Sequence, residues 1–190
     1  AQSMRLPSDA YRLPPDWFPT TLDLTNYKTL FTSDLPMLNM LGNSALVTFS
    51  TIILRLIVAV LAAYAIAKIR YRGSNTVMVG FLASMMLPIQ ATIIPLYIIM
   101  SNLGLVNTRM SLIIIGIFDS FCIFMLKQSM ATIPDSIVES AKIDGAGHMR
   151  ICWQIVVPMI KSSLATMVIL IFNGTWNDYF LPYIFISSWD

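Results

Sequence analysis

The run SALVTFSTIILRLIVAVLAAYAIA, residues 44–67, contains one charged side chain, Arg55, among apolar and small residues. About 20 such residues cross a bilayer as a helix. Further apolar stretches lie near 76–100, 111–130 and 162–186. None has the ~10-residue alternation of a β-barrel span. Backbone groups in hydrocarbon must be satisfied within the segment, so helices are predicted. Composition agrees: 56% of the 190 residues are hydrophobic and 12% charged, with a mean hydropathy of +0.71. A soluble domain carries roughly 25% charged residues. The expected fold class is an all-α membrane protein, a polytopic transmembrane helix bundle with four visible spans in a lipid bilayer.

Residues 1–40 differ from the rest of the chain. Pro7, Pro14, Pro15, Pro19 and Pro36 stand among Asp9, Asp16, Asp23 and Asp34, a pattern of extended, water-exposed chain. Lys68, Arg70 and Arg72 follow the first apolar stretch, and Lys127, Lys142, Arg150 and Lys161 bracket the connection between the third and fourth. Excess Lys and Arg marks cytoplasmic loops. Both connections are therefore predicted to be cytoplasmic, residues 1–40 to be extracytoplasmic, and residues 41–190 to form the membrane domain. Tyr64, Tyr71, Trp176, Tyr179 and Tyr183 are candidate interfacial aromatics. The chain begins at Ala1 with no signal segment and stops abruptly at Asp190, which leads to the expectation of truncation or processing.

Several chemistries find no support. Cys122 lies in an apolar stretch and Cys152 in a mixed polar loop, with no second ligand type at metal spacing. His148 is read as a loop residue. No metal site, cofactor or catalytic residue is expected. A net charge of +2 from scattered basic residues does not indicate nucleic acid. The phosphate-binding pattern G-x-x-x-x-G-K-[ST] does not occur, so any ATP chemistry is expected in a partner subunit.

The connection of about 131–160 is the most informative. From Ile133 it reads I-P-D-S-I-V-E-S-A-K-I-D-G-A-G-H-M-R-I-C-W-Q-I-V-V-P, ending at Pro158. Ser136 and Glu139 have capping-box spacing, and Ile137, Val138, Ala141 and Ile143 are placed to form the apolar side of a short helix. Gly145 is positioned to stop it, with Gly147 before a second helical stretch. Such a hairpin has no core of its own and is expected to dock on something.

Glu139-Ser140-Ala141, then Gly145, then Ile155-Val156-Val157-Pro158 after nine residues resemble the E-A-A-x-x-x-G-x(9)-I-x-L-P loop of binding-protein-dependent ABC importer permeases. Ser140 stands for the usual Ala and Val157 for the usual Leu. Asn43-Ser44, Ala63-Tyr64-Ala65, Pro95-Leu-Tyr97, Leu103-Gly104 and Trp176-Asn177-Asp178 are similar to the carbohydrate-uptake branch, related to the inner subunit of the maltose importer. The resemblance runs from about Tyr27 to the end. It implies a six-span permease of which the first and last spans lie outside this sequence, in a bacterial or archaeal plasma membrane. It also implies a coupling loop at Glu139, Ser140, Ala141, Asp144, Gly145, Ile155 and Pro158. The implied partners are a second permease subunit, a cytoplasmic ATPase dimer, an extracytoplasmic solute-binding protein and a carbohydrate substrate.

Two intramembrane features complete the reading. Pro88 and Pro95 each remove a helix hydrogen bond in the second stretch around Gln90, as in a broken helix beside a substrate path or in a plain kink. Asn173, Trp176, Asn177 and Asp178 offer amide, carboxylate and indole groups to a sugar, or cap the chain at the interface. Arg55 lies 13 residues before Lys68, about 20 Å along a helix, and Asp119 eight before Lys127, about 12 Å. An isolated charge at such depth costs at least ~2.5 kcal/mol, so an Arg55–Asp119 ion pair between the first and third spans is predicted. The alternative function is an ion- or proton-coupled secondary transporter using those two residues as its relay.

Overall fold

A computed structural model describes Leu24, Tyr27, Lys28, Phe31 and residues 37–69 and 71–187. Most of the expected extracytoplasmic segment and Arg70 lie outside the described residues. The chain divides into two compact units, residues 1–44 and 45–190. Tyr27, Lys28, Phe31 and residues 37–40 are helical where extended chain was expected. Helix α1, Met37–Tyr64, continues as a π-helical turn, Ala65–Ile69. The remaining helices are α2 Ser74–Ser84, α3 Ile89–Asn102, α4 Arg109–Ile117, α5 Ser120–Ala131 and α6 Asp135–Ile143. Next come α7 His148–Ile151, α8 Lys161–Trp176 and α9 Phe180–Phe185. From α7 the chain stays helical through a second π turn, Cys152–Val156, to Val157–Met159.

The all-helical expectation holds, but the spans are less regular than the hydropathy implies. Met37–Ile69 and Arg109–Ala131 are each long and apolar enough to cross a membrane. The second stretch is two helices, α2 and α3, meeting at 103°. Pro88 explains the bend: it has no N–H, disfavours helix in the residue before it, and sits as the extended N-cap of α3 (φ −67°, ψ 140°). It therefore precedes a helix instead of interrupting one, while Pro95 does lie inside α3. His148–Met159 and α8 meet at 82°, with the turn at Ile160 (φ −103°, ψ 21°).

Within residues 45–190, α5 is central: α2, α8 and the π turn ending α1 all pack on it. Leu126 and Met130 of α5 are fully enclosed, in one cluster with Ala63, Ile66, Ala67, Met78, Met167 and Ile171. The helical hairpin of α6 and α7 joins the same cluster through Val138, Ala141, Ile151, Cys152 and Val156. Its inner face therefore docks on its own chain. A surface hairpin needs a core against which to fold, and the end of α1 supplies one.

Several local expectations are corrected. Ser136 is not the cap of α6, because the helix begins one residue earlier behind Pro134 and has no side-chain cap; Pro is well suited to a position with no N–H to satisfy. Ile143 points away from the core and is 86% exposed. Tyr64, expected at the interface, is buried. Cys152 is enclosed in a helix, and His148 opens a helix instead of lying in a loop.

Candidate functional site

The candidate coupling segment is shaped by Gly145. It takes φ +80°, where glycine avoids the Cβ penalty. Gly145 N donates to Lys142 O at 3.0 Å and Ala146 N to Ala141 O at 2.9 Å. This pair of bonds is the Schellman arrangement, which satisfies carbonyls orphaned at a helix end. The turn reverses the chain into α7. A Cβ on Gly145 would meet nothing within 4 Å, so within this chain the position is constrained by backbone conformation, not space.

The hairpin has two unlike faces. Val138 and Ala141 are buried, whereas Glu139, Ser140, Asp144 and Gly145 are exposed, as are Ile143 and Met149 at the tip. Ile155 is half-buried and Pro158 exposed. Ser140 Oγ donates to Ser136 O at 2.8 Å, so its hydroxyl is satisfied within the helix. The motif residues thus divide between an inner face that holds the hairpin in place and an outer one with apolar side chains uncovered.

In the sequence Lys68 counts only as one of several loop charges. It is buried, and its Nζ donates to Asp135 Oδ1 at 2.8 Å and to the Ile133 carbonyl just before α6. One turn earlier on α1, Tyr64 Oη pairs with His148 Nδ1 at 3.2 Å, at the start of α7. The end of α1 therefore holds both arms of the hairpin. A lone Lys in the last turn of an apolar helix with Asp135 in the next connection is a weak sequence signal; Tyr64 and His148 leave none.

In the membrane region Arg55 and Asp119 meet: Nη1 donates to Oδ2 at 3.0 Å. The reason lies in a break between α4 and α5, where Phe118 (φ −94°, ψ 116°) and Asp119 (φ −143°, ψ 107°) are extended. Asp119 caps α5 by accepting from Phe121 N at 2.9 Å and Cys122 N at 3.3 Å. Arg55 Nε donates to the Gly116 carbonyl, which the break deprives of its i+4 partner. One arginine thus satisfies the carboxylate and the carbonyl of a broken helix. Gly116 allows the approach: a Cβ there would lie 2.7 Å from Thr51 Cγ2. Thr51 Oγ1 is buried without a hydrogen-bond partner among the described residues. Small residues let transmembrane backbones come close, which is the signal that marks Gly116 in retrospect.

The candidate path residues do not form one group. Asp178 lines a cavity of about 260 Å³ with Arg55, Gly116, Gly174 and Thr175. Its Oδ1 also accepts from Phe180 N at 2.9 Å, capping α9. Asn177 Nδ2 donates to Asn173 Oδ1 at 2.7 Å and Asn173 O at 2.9 Å, and both residues are exposed. Trp176 stacks on Phe172 with centroids 5.5 Å apart. Gln90 is exposed in the first turn of α3, and it, Asn173, Trp176 and Asn177 are not among the cavity's lining. Among the described residues no group of three His, Cys, Asp or Glu could hold a metal ion.

Residues 56–189 match the family described as binding-protein-dependent transport system inner membrane component. The chain is 32% identical over 183 residues to the inner membrane ABC transporter permease protein YcjP of Escherichia coli, covering 95% of this chain and 65% of that protein. It is 33% identical over 149 residues to the sn-glycerol-3-phosphate transport system permease protein UgpE of Yersinia pestis, covering 78% and 53% respectively. A chain from the crystal structure of a bacterial ABC transporter involved in the import of the acidic polysaccharide alginate superimposes with a TM-score of 0.89 at 26% identity. That match covers 98% of this chain and 66% of the other. The sequence thus spans between about half and two thirds of the relatives it matches.

Proposed function

The chain belongs to the family of binding-protein-dependent transport system inner membrane components, and from that premise we propose that it is a permease subunit of an ATP-driven importer for a carbohydrate or related polyol. The observation that carries this reading is the two-faced hairpin. Its inner face is fixed to the transmembrane helices, while Ile143 and Met149 are exposed at its tip, 86% and 60% respectively. Apolar side chains on a rigid, protruding turn gain free energy by entering a cleft of another protein. That partner is a cytoplasmic ATPase, one of a pair whose closure on ATP moves the hairpin and, through it, the helices. The family is a transport component and not an enzyme; hydrolysis belongs to the ATPase subunits.

A second permease subunit completes the pathway beside the two to four candidate spans among the described residues of this chain. An extracytoplasmic binding protein delivers the solute. The chain lies in the inner membrane as a multi-pass subunit, with Glu139, Ser140, Ala141, Asp144, Gly145, Ile155 and Pro158 in the coupling segment. Asp178, which shares a cavity with Arg55, is the residue assigned to the solute path. Among the cavity's described lining residues Arg55 is engaged by Asp119 and Gly116. The same engagement speaks against Arg55 and Asp119 as a proton relay.

The test is uptake by the full-length protein reconstituted with its co-purified partners. ATP inside the vesicles should drive accumulation of a carbohydrate or related polyol. Accumulation driven by an ion gradient without ATP would overturn the importer reading.

A further inference from the structure

The coupling hairpin is fastened to α1 more closely than chain connectivity requires, and the fastening uses a buried charge. Lys68 Nζ has two acceptors, the Asp135 carboxylate at 2.8 Å and the Ile133 carbonyl, and its side chain is 1% exposed. A buried ammonium loses its hydration and is tolerated only where the protein replaces it. Asp135 opens α6, and Ile133 lies two residues before it. The π turn Ala65–Ile69 aims Lys68 at them; such turns insert a residue and re-aim a helix face. The π turn Cys152–Val156 buries Cys152 and Val156 in the cluster that also holds Ile66 and Ala67. Tyr64 adds the bond to His148 on the second arm. Thirteen residues back along α1, about 20 Å at helical rise, Arg55 grips the break between α4 and α5.

We propose that Lys68 is a positioning residue that locks the α6–α7 hairpin to α1, so that hairpin and helix move as one body when ATP binds, and α1 carries that movement to the break at Phe118 and Asp119. A helix is stiff along its axis, and the packed interface around Lys68 has one good arrangement instead of a continuum. The ion pair makes sliding costly, because any displacement that separates Lys68 from Ile133 and Asp135 strands a charge in an apolar cluster. The inference rests on the coupling role proposed above.

The experiment measures distances by spin-label spectroscopy in the full complex with its partners, with labels at Lys142→Cys on α6 and Ile53→Cys on α1. Both positions are exposed, whereas the native Cys122 and Cys152 are 1% and 0% exposed and escape labelling. The distance should be the same without nucleotide and after trapping with ATP and orthovanadate. In Lys68→Met it should shift or broaden on trapping, and Lys68→Arg should restore the single distance. Should Lys68→Met fail to assemble, Lys68→Gln, which removes the charge but keeps a donor, is read in the same way. A wild-type distance that changes on trapping, or a variant distance that does not, overturns the proposal. The underlying coupling role is read separately: a photo-crosslinker on Lys142→Cys must capture the ATPase subunit, and failure there removes that role whatever the distances show.

Discussion

Replacing the two intramembrane charges by leucine, singly and together, separates what Arg55 and Asp119 do for each other from what each does for the backbone. Asp119→Leu removes the α5 cap, about 0.5–2 kcal/mol, and leaves the guanidinium with only the Gly116 carbonyl. Losing one partner of a fully buried pair costs about 3–5 kcal/mol. Here the side chains are 17% and 28% exposed, so about 2 kcal/mol is the appropriate scale. The single change should therefore cost about 2.5–4 kcal/mol. Arg55→Leu leaves Asp119 with its two backbone N–H donors but strands the Gly116 carbonyl, for about 2–3 kcal/mol. The double variant loses the cap and the carbonyl's partner but has no unpaired charge, so it should fall about 2 kcal/mol short of the sum. Asp119→Asn keeps an acceptor for Phe121 and Cys122 and should lie between wild type and Asp119→Leu. The measurement is equilibrium unfolding in mixed micelles, with helix content followed by circular dichroism. Additivity of the single changes to within about 0.5 kcal/mol would refute the pairing. Equal cost for Asp119→Asn and Asp119→Leu would refute the cap.

Other outcomes depend on single contacts. Gly116→Ala puts a methyl 2.7 Å from Thr51 Cγ2 and should cost about 1–3 kcal/mol of stability; Thr51→Ser, which removes that methyl, should recover most of it in the same unfolding assay. Gly145→Asp should reach near-normal membrane abundance, since the left-handed conformation admits Asp at modest cost and no neighbour crowds the site. It should nevertheless lose uptake and solute-dependent ATP hydrolysis, while His148→Ala, losing one bond to Tyr64, keeps most of both; full transport by Gly145→Asp would remove the coupling role of this segment. Burial pushes the Cys152 thiol above its ordinary range, so maleimide should leave it unmodified at neutral pH and label it only after denaturation; prompt labelling in the intact complex would contradict the packing around α7.

The sequence alone determined the solvent, the class of fold and the family. Those properties are sums over many residues or spacings along the chain: low charge density and repeated apolar runs demand lipid-facing helices, and the Glu139 to Pro158 pattern is fixed by order, not by contact. Even the Arg55–Asp119 pair was accessible, because helical rise converts position into depth and a charge at depth needs a partner. What remained beyond reach were directions and breaks. Pro88 marked a broken or kinked helix in the sequence but not its 103° angle, and hydropathy is blind to the extended Phe118 and Asp119, since the residues on either side are equally apolar. A basic residue at the end of a span reads as cytoplasmic whether it faces water or, like Lys68, a buried carbonyl. Ile143 counts as apolar in composition but is turned outward, since it lies two residues past Ala141 and five past Val138, which at ~3.6 residues per turn puts it on the opposite side of α6 from them. Which face of a short helix is buried depends on the elements that pack against it, and only the tertiary structure brings those to one place.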